Sequence, residues 1–180
     1  MGVLHFSFKT VLFLTIQLLL AGCSAPWTGG IPNEYKHAGK FPVVAAVSGI
    51  SELIPSQGSS DTALTENYMP TNEIILNTSI THGWVVQFQP VDRDLVAEEY
   101  YILPKAARWN CDTNTQTVSK DQTTCRTVIA IPKKEHFVSH DWGMFLDDPV
   151  GEYEMAVFID HKLAVDFKFR VLAPSADGKK

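Results

Sequence analysis

Residues 152–172, EYEMAVFIDHKLAVDFKFRVL, alternate with a period of two on either side of a short polar break. On the first arm Tyr153, Met155, Val157 and Ile159 alternate with Glu152, Glu154, Ala156 and Phe158. On the second, Leu163, Val165, Phe167, Phe169 and Val171 alternate with Ala164, Asp166, Lys168 and Arg170. Successive side chains of a strand point to opposite faces, so this stretch predicts a β-hairpin with one apolar and one largely charged face. Each apolar side chain buried contributes about 1.5–3 kcal/mol, which makes the hairpin a large share of the core's gross stabilisation before chain entropy is subtracted. The connection near Asp160-His161-Lys162 lacks the glycine that a two-residue primed turn favours, so a longer or mildly strained turn is expected.

The same short, turn-punctuated pattern runs back along the chain. Phe41 to Ile50 is β-branched and closed by Gly49; Asn72 to Ile80 and Gly83 to Gln89 read as two more strands, the latter alternating Trp84, Val86 and Phe88 with Val85, Gln87 and Gln89. Leu95 to Leu103 reads as a strand despite an acidic start, and Arg126 to Ile131 as another. Between them Pro55 to Pro70 is a polar loop, and Glu135 to Asp148 is an aromatic segment with Phe137, Trp142 and Phe145. No stretch after residue 22 has the length and period of an amphipathic helix. The class is therefore all-β, an antiparallel sandwich of seven or eight strands over residues 41–173, with a polar, disordered tail at 174–180.

Pro149-Val150-Gly151-Glu152-Tyr153 followed by this hairpin resembles the closing hairpin of bacterial immunoglobulin-like domains. The resemblance covers about 25 residues and implies an Ig-like sandwich. It does not extend to the inter-sheet disulfide of antibody domains, because Cys111 and Cys125 are too close in sequence.

The N-terminus has a different character. Lys9, the apolar run Val11 to Leu20 and the small residues before Cys23 have the layout of a secretory signal over residues 1–22. Ten to twelve apolar residues at about 1.5 Å each reach about half of a ~30 Å hydrocarbon core, so a removable leader fits better than a spanning helix. Leu20-Ala21-Gly22-Cys23 resembles the lipobox of bacterial lipoproteins. That resemblance implies cleavage before Cys23, acylation of its thiol and amine, and anchorage by several acyl chains. Ser24, in place of the Asp associated in that family with inner-membrane retention, implies delivery to the outer membrane, on its periplasmic face. Residues 23–40, rich in Gly and Pro, then read as a flexible tether, with Trp27 and Tyr35 either at the membrane interface or docked on the domain.

Without residues 1–22 the chain keeps 14 Lys and Arg against 20 Asp and Glu. A net charge of −6 argues against nucleic acid or an anionic bilayer as the main partner, because both reward basic clusters. In an oxidising periplasm, Cys111 and Cys125 are the even pair left once Cys23 is acylated, and a disulfide is expected. It would close a loop of about 15 residues, worth about 3 kcal/mol. A metal at these cysteines lacks further ligands between them, because Asp112 to Thr124 holds no His and no other Cys.

Catalytic motifs are absent. Ser139-His140-Asp141 are consecutive and project apart, whereas a triad needs three side chains converging. His136 and His140, with Asp141, Asp147, Asp148 or His161, offer a metal reading set against a solvated polar segment, which is preferred; no metal or cofactor is expected. Glu98 and Glu99 point to opposite faces if their segment is a strand. The aromatic complement exceeds what one inner face needs, and Trp84, Trp109, Trp142 and Phe158 are the candidate binding aromatics. The expected function is a non-enzymatic, outer-membrane-anchored lipoprotein that contacts an envelope protein partner. The alternative is a carbohydrate- or peptidoglycan-binding module using exposed aromatics.

Overall fold

A computed structural model describes residues 27–55, 64–76 and 80–174. The leader, Cys23 and the tail beyond residue 174 lie outside the described residues. Among the described residues, ten strands follow a short 3-10 turn at Asn33–Tyr35: β1 (Val43–Pro55), β2 (Leu64–Pro70), β3 (Glu73–Ile75), β4 (Thr81–Phe88), β5 (Leu95–Ile102), β6 (Gln116–Val118), β7 (Thr124–Ile131), β8 (Phe137–Gly143), β9 (Gly151–Ile159) and β10 (Lys162–Leu172). They form a four-stranded sheet in the order β2-β1-β4-β8 and a six-stranded sheet in the order β3-β10-β9-β5-β7-β6. The two inner faces share one core, so the β-sandwich class read from the sequence is the observed one.

The strand count and pairing differ from expectation in four places, the first being the short β6 between Cys111 and Cys125, which pairs antiparallel with β7. Part of the polar 55–70 stretch is strand, because Leu64–Pro70 pairs antiparallel with β1 from Gly49 to Pro55. The aromatic 135–148 segment supplies edge strand β8, paired with β4. The second sheet is mixed: the short β3 runs parallel to the end of β10, with Arg170, Val171 and Leu172 opposite Glu73, Ile74 and Ile75.

The closing hairpin forms as predicted, with Phe169 opposite Tyr153 and Phe167 opposite Met155. Its turn has two residues, and both Asp160 (φ 47°) and His161 (φ 61°) are left-handed, as a type I′ turn requires. The non-glycine cost is offset by anchoring. Asp160 accepts a hydrogen bond from the Val96 amide (3.2 Å) and pairs with Arg93, and the Asp160 amide donates to the Val96 carbonyl (2.9 Å). A register shift between Leu163 and Val165 turns Leu163 to the outer face, while Val165, Phe167, Phe169 and Val171 face the core.

The outer face of the six-stranded sheet is covered. Residues 27–40, expected to belong to a flexible tether with Trp27 and Tyr35 either at the membrane interface or docked on the domain, take the docked alternative and pack on it from Trp27 onward. Tyr35 sits against Phe158 (ring centroids 4.7 Å) and Tyr100 (5.6 Å), and Trp27 meets Tyr100 edge-on at 5.8 Å. Backbone bonds between Phe41 and Leu163 (2.8 Å) and between Leu163 and Gly39 (2.9 Å) hand this strap over to β1. Glu98 ties it down, accepting from the Tyr35 hydroxyl (2.7 Å) and from Arg126 Nε (2.7 Å). Burial alone would raise the Glu98 pKa; the hydrogen bonds from Tyr35 and Arg126 and the charge of Arg126 outweigh it and hold the carboxyl below its usual range. The strap explains why the apolar Ala156 and Phe158 stand on a face that otherwise reads as polar.

Candidate binding cleft

β5 leaves the sheet at Ile102, and the chain crosses the end of the sandwich before returning as β6 and β7. This crossing segment and the end of β8 border a cavity of about 230 Å³. Tyr101 and Tyr153 line its depth, Trp109 and Trp142 its sides, and Arg108, Asn110, Gln116, Phe145 and Asp148 its remaining borders. The aromatics brace one another. Trp142 stacks on Tyr101 (centroids 4.9 Å, interplanar angle 21°), and Trp109 meets Trp142 edge-on at 5.8 Å. Trp109 is also fixed by its indole N–H, which donates to the Gln122 carbonyl at 2.9 Å.

Trp142 is oriented from inside the sandwich. Alternation along β5 puts Leu95, Ala97, Glu99 and Tyr101 on the inner face, so Glu99 is fully buried, with 0% of its surface exposed. A buried carboxyl is tolerated where its lone pairs are met. Glu99 Oε1 accepts from the indole N–H groups of Trp84 and Trp142, both at 2.9 Å, and Oε2 lies 2.6 Å from His140 Nδ1. Burial on its own would lower the His140 pKa; the hydrogen bond and charge of Glu99 outweigh it, so the imidazole titrates above its ordinary range. This knot holds β8 to β5 and sets the plane of Trp142. On the other side of β8, Asp141 lies over Gly83 and accepts from the Tyr68 hydroxyl at 3.1 Å. A side chain at residue 83 would collide with that carboxyl and with the His140 carbonyl.

Of the four candidate aromatics, the structure brings Trp109 and Trp142 to one site. It places the other two elsewhere. Trp84 is fully buried because its position on β4 faces the core, and Phe158 is buried under Tyr35 of the strap. Cys111 and Cys125 are adjacent, with Sγ atoms 3.4 Å apart, but they stand as free thiols and not as the expected disulfide. Burial raises both thiol pKa values. His136 and His140 do not converge, since His136 is exposed and His140 is committed to Glu99. Among the described residues no group of three or more His, Cys, Asp and Glu side chains is arranged to hold a metal. Glu98 and Glu99 do point to opposite faces, as the strand reading implied, but Glu99, weighed only as half of that carboxylate pair, is missing from the sequence candidates. Its signal was its inner-face place between Ala97 and Tyr101.

Beside the cleft the loop after β8 exposes apolar side chains, with Phe145 50% and Leu146 59% exposed, and Val150 follows. Asp148 shapes this loop by accepting from the Phe145 amide at 2.8 Å, and burial raises its pKa.

Solved structures to which the chain is similar include an immunoglobulin-like protein from Pseudomonas aeruginosa, at 16% identity and TM-score 0.41, covering 76% of this chain and 99% of that one. The alkylpurine DNA glycosylase AlkC of Pseudomonas fluorescens, bound to DNA containing an abasic site analog, matches at 9% identity and TM-score 0.33, over 70% of this chain and 30% of its own. The sporulation control protein Spo0M of Bacillus subtilis matches at 13% and 0.24, over 74% and 51%. No curated protein matches the sequence. The family model described as PM0630 beta sandwich domain matches residues 57–172, which hold the cleft, strands β2 to β10 and the closing hairpin but not β1 or the strap. By that match the chain belongs to the PM0630 beta sandwich domain family.

Proposed function

We propose that this protein is a non-enzymatic binding module of the bacterial envelope, anchored through an acylated Cys23 to the periplasmic face of the outer membrane, whose cleft takes a side chain of an envelope protein partner. The observation that carries the reading is the cleft's size and border. About 230 Å³ is below the usual 300–1,000 Å³ of a small-molecule site, and suits one ring or one side chain. Rigid aromatics around such a pocket, beside the exposed Phe145 and Leu146, have the anatomy of an interface hot spot. The groups best suited to acid-base chemistry are engaged elsewhere: Glu99 with His140 and two indoles, Glu98 with Arg126 and Tyr35. The anchor is supported by the lipobox-like Leu20-Ala21-Gly22-Cys23. In that compartment Cys111 and Cys125 would join by exchange with a disulfide donor, pinning the segment that carries Trp109.

A second reading, a saccharide ligand, is favoured by Arg108, Asn110 and Gln116 beside two tryptophans. The two separate in one experiment. A photocrosslinking residue replacing Leu146 in growing cells should yield a discrete protein adduct that the same residue replacing the exposed Lys168 does not. No adduct from either position, together with quenching of tryptophan fluorescence by soluble muropeptides, would replace the protein partner with the saccharide.

A further inference from the structure

The strap is fastened at its very start. The Lys120 amide donates to the Trp27 carbonyl (3.0 Å), the Trp27 indole N–H donates to the Gly30 carbonyl (3.0 Å), and the Gly30 amide donates to Thr124 Oγ1 (2.8 Å). Trp27 is thus pinned to the 119–124 turn, and only four residue steps separate it from Cys23. Even fully extended, four steps span about 14 Å. An acyl group on Cys23 therefore brings this turn close to the headgroups, and residues 27–40 provide no slack to lift the domain away.

The same turn supports the cleft. Trp109 Nε1 and the Ala107 amide both donate to the Gln122 carbonyl (2.9 and 3.1 Å), and the Leu103 amide donates to the Thr123 carbonyl (2.8 Å). Lys105, Arg108 and Lys120 are exposed at this end, with one exposed carboxylate, Asp121, in the turn itself, and none of the three cations has an ion-pair partner among the described residues. The far end, with Arg93 and Lys133, lies beyond the eight residues of β5, about 24 Å away.

We infer that the end of the sandwich built from the 119–124 turn and the crossing segment with Lys105 and Arg108 is a membrane-facing surface, held on phospholipid headgroups by the short link from Cys23 to Trp27. The cleft then opens at the bilayer, and the partner it takes is one presented at that surface, not one free in the periplasm. A net charge of −6 gives the free domain no pull toward an anionic bilayer; the short link from Cys23 is what holds these three cations within a Debye length of the headgroups, where their attraction acts.

The inference rests on the anchor proposed above, and the test separates the two. The full-length chain, processed in its host and purified from membranes, is reconstituted into protein-free vesicles of phosphatidylethanolamine and phosphatidylglycerol carrying a headgroup-linked acceptor dye. A donor dye is placed through an azide-bearing residue at position 120 or, separately, at position 93. Flotation with the vesicles, lost on Cys23→Ser, together with much stronger energy transfer from position 120 than from position 93, is the expected result. Inserting 20 Gly/Ser residues between Pro26 and Trp27 should weaken the transfer from position 120. Flotation with equal transfer from both positions overturns the orientation and leaves the anchor standing; failure to float overturns both.

Discussion

His82 gives the sharpest test of the core. It lies on the inner face of β4 with 0% exposure, its ring 4.2 Å from that of Phe169, and neither ring nitrogen has a hydrogen-bond partner. Burial pushes its pKa from the ordinary 6.5 down to about 4. The unfolded chain takes up a proton at residue 82 below about pH 6.5, whereas the folded chain resists until about pH 4. Stability is thus unaffected by this group above pH 6.5 and is lost as pH falls from 6.5 toward 4. At pH 4.5 the gap corresponds to about 2.5 kcal/mol, from 1.36 kcal/mol for each pH unit between the two values. Replacing His82 with Leu keeps the volume, removes two unsatisfied nitrogens and abolishes this linkage. Urea unfolding followed by tryptophan fluorescence at pH 7.5 and pH 4.5, for the native chain and H82L, isolates the term, because other titrating groups cancel in the double difference. The variant should lose about 2.5 kcal/mol less on acidification and be no less stable at pH 7.5. Equal pH dependence of the two chains would refute the reasoning.

Three further outcomes follow from the buried polar groups. Glu99→Ala strands the two indole N–H groups and His140, and should cost about 3–5 kcal/mol in urea unfolding and shift the tryptophan emission; a variant with native stability and spectrum would show that the knot is not what holds β8 to β5. The hydroxyl of Tyr35, its pKa pushed up to about 12 chiefly by burial, stays a donor at physiological pH. Tyr35→Phe removes its bond to the charged Glu98, should cost about 1.5–3 kcal/mol, and should speed amide exchange at Ala38 and Phe41; unchanged exchange there would mean the strap is held without it. Glutathione disulfide should join Cys111 and Cys125, passing two electrons and two protons to glutathione, with the chain lighter by two hydrogens and more stable by about 3 kcal/mol. An unchanged mass, or the same gain in Cys111→Ser, would oppose the pairing.

The hairpin was legible because period-two alternation depends only on which face is buried; the irregularity that turns Leu163 to the outer face has no signal in that alternation. What alternation could not show was a second burial on the opposite face. Phe158 and Tyr100 look exposed on a charged face until the strap covers them, and the strap reads as a tether because its contacts, such as Tyr35 to Glu98, are more than 60 residues apart in the chain. Trp84 illustrates the converse: its alternation with Val86 and Phe88 marked an inner-face position, which outweighs its place among the surplus aromatics, and the buried Glu99 satisfies its indole N–H. Trp109 and Trp142 sit in less regular segments, so only the fold shows that they meet. The parallel pairing of β3 with β10 joins segments nearly 100 residues apart, with no local signal in either.

The central claim is that the Trp109–Trp142 cleft engages a partner. It is tested most directly by combining the crosslinking residue at position 146 with Trp109→Ala and measuring adduct yield in cells alongside the melting temperature of the purified chain. Trp109 is half-buried at the border of the domain, so its removal should leave folding nearly intact while the adduct is lost. An adduct undiminished by Trp109→Ala would contradict the account.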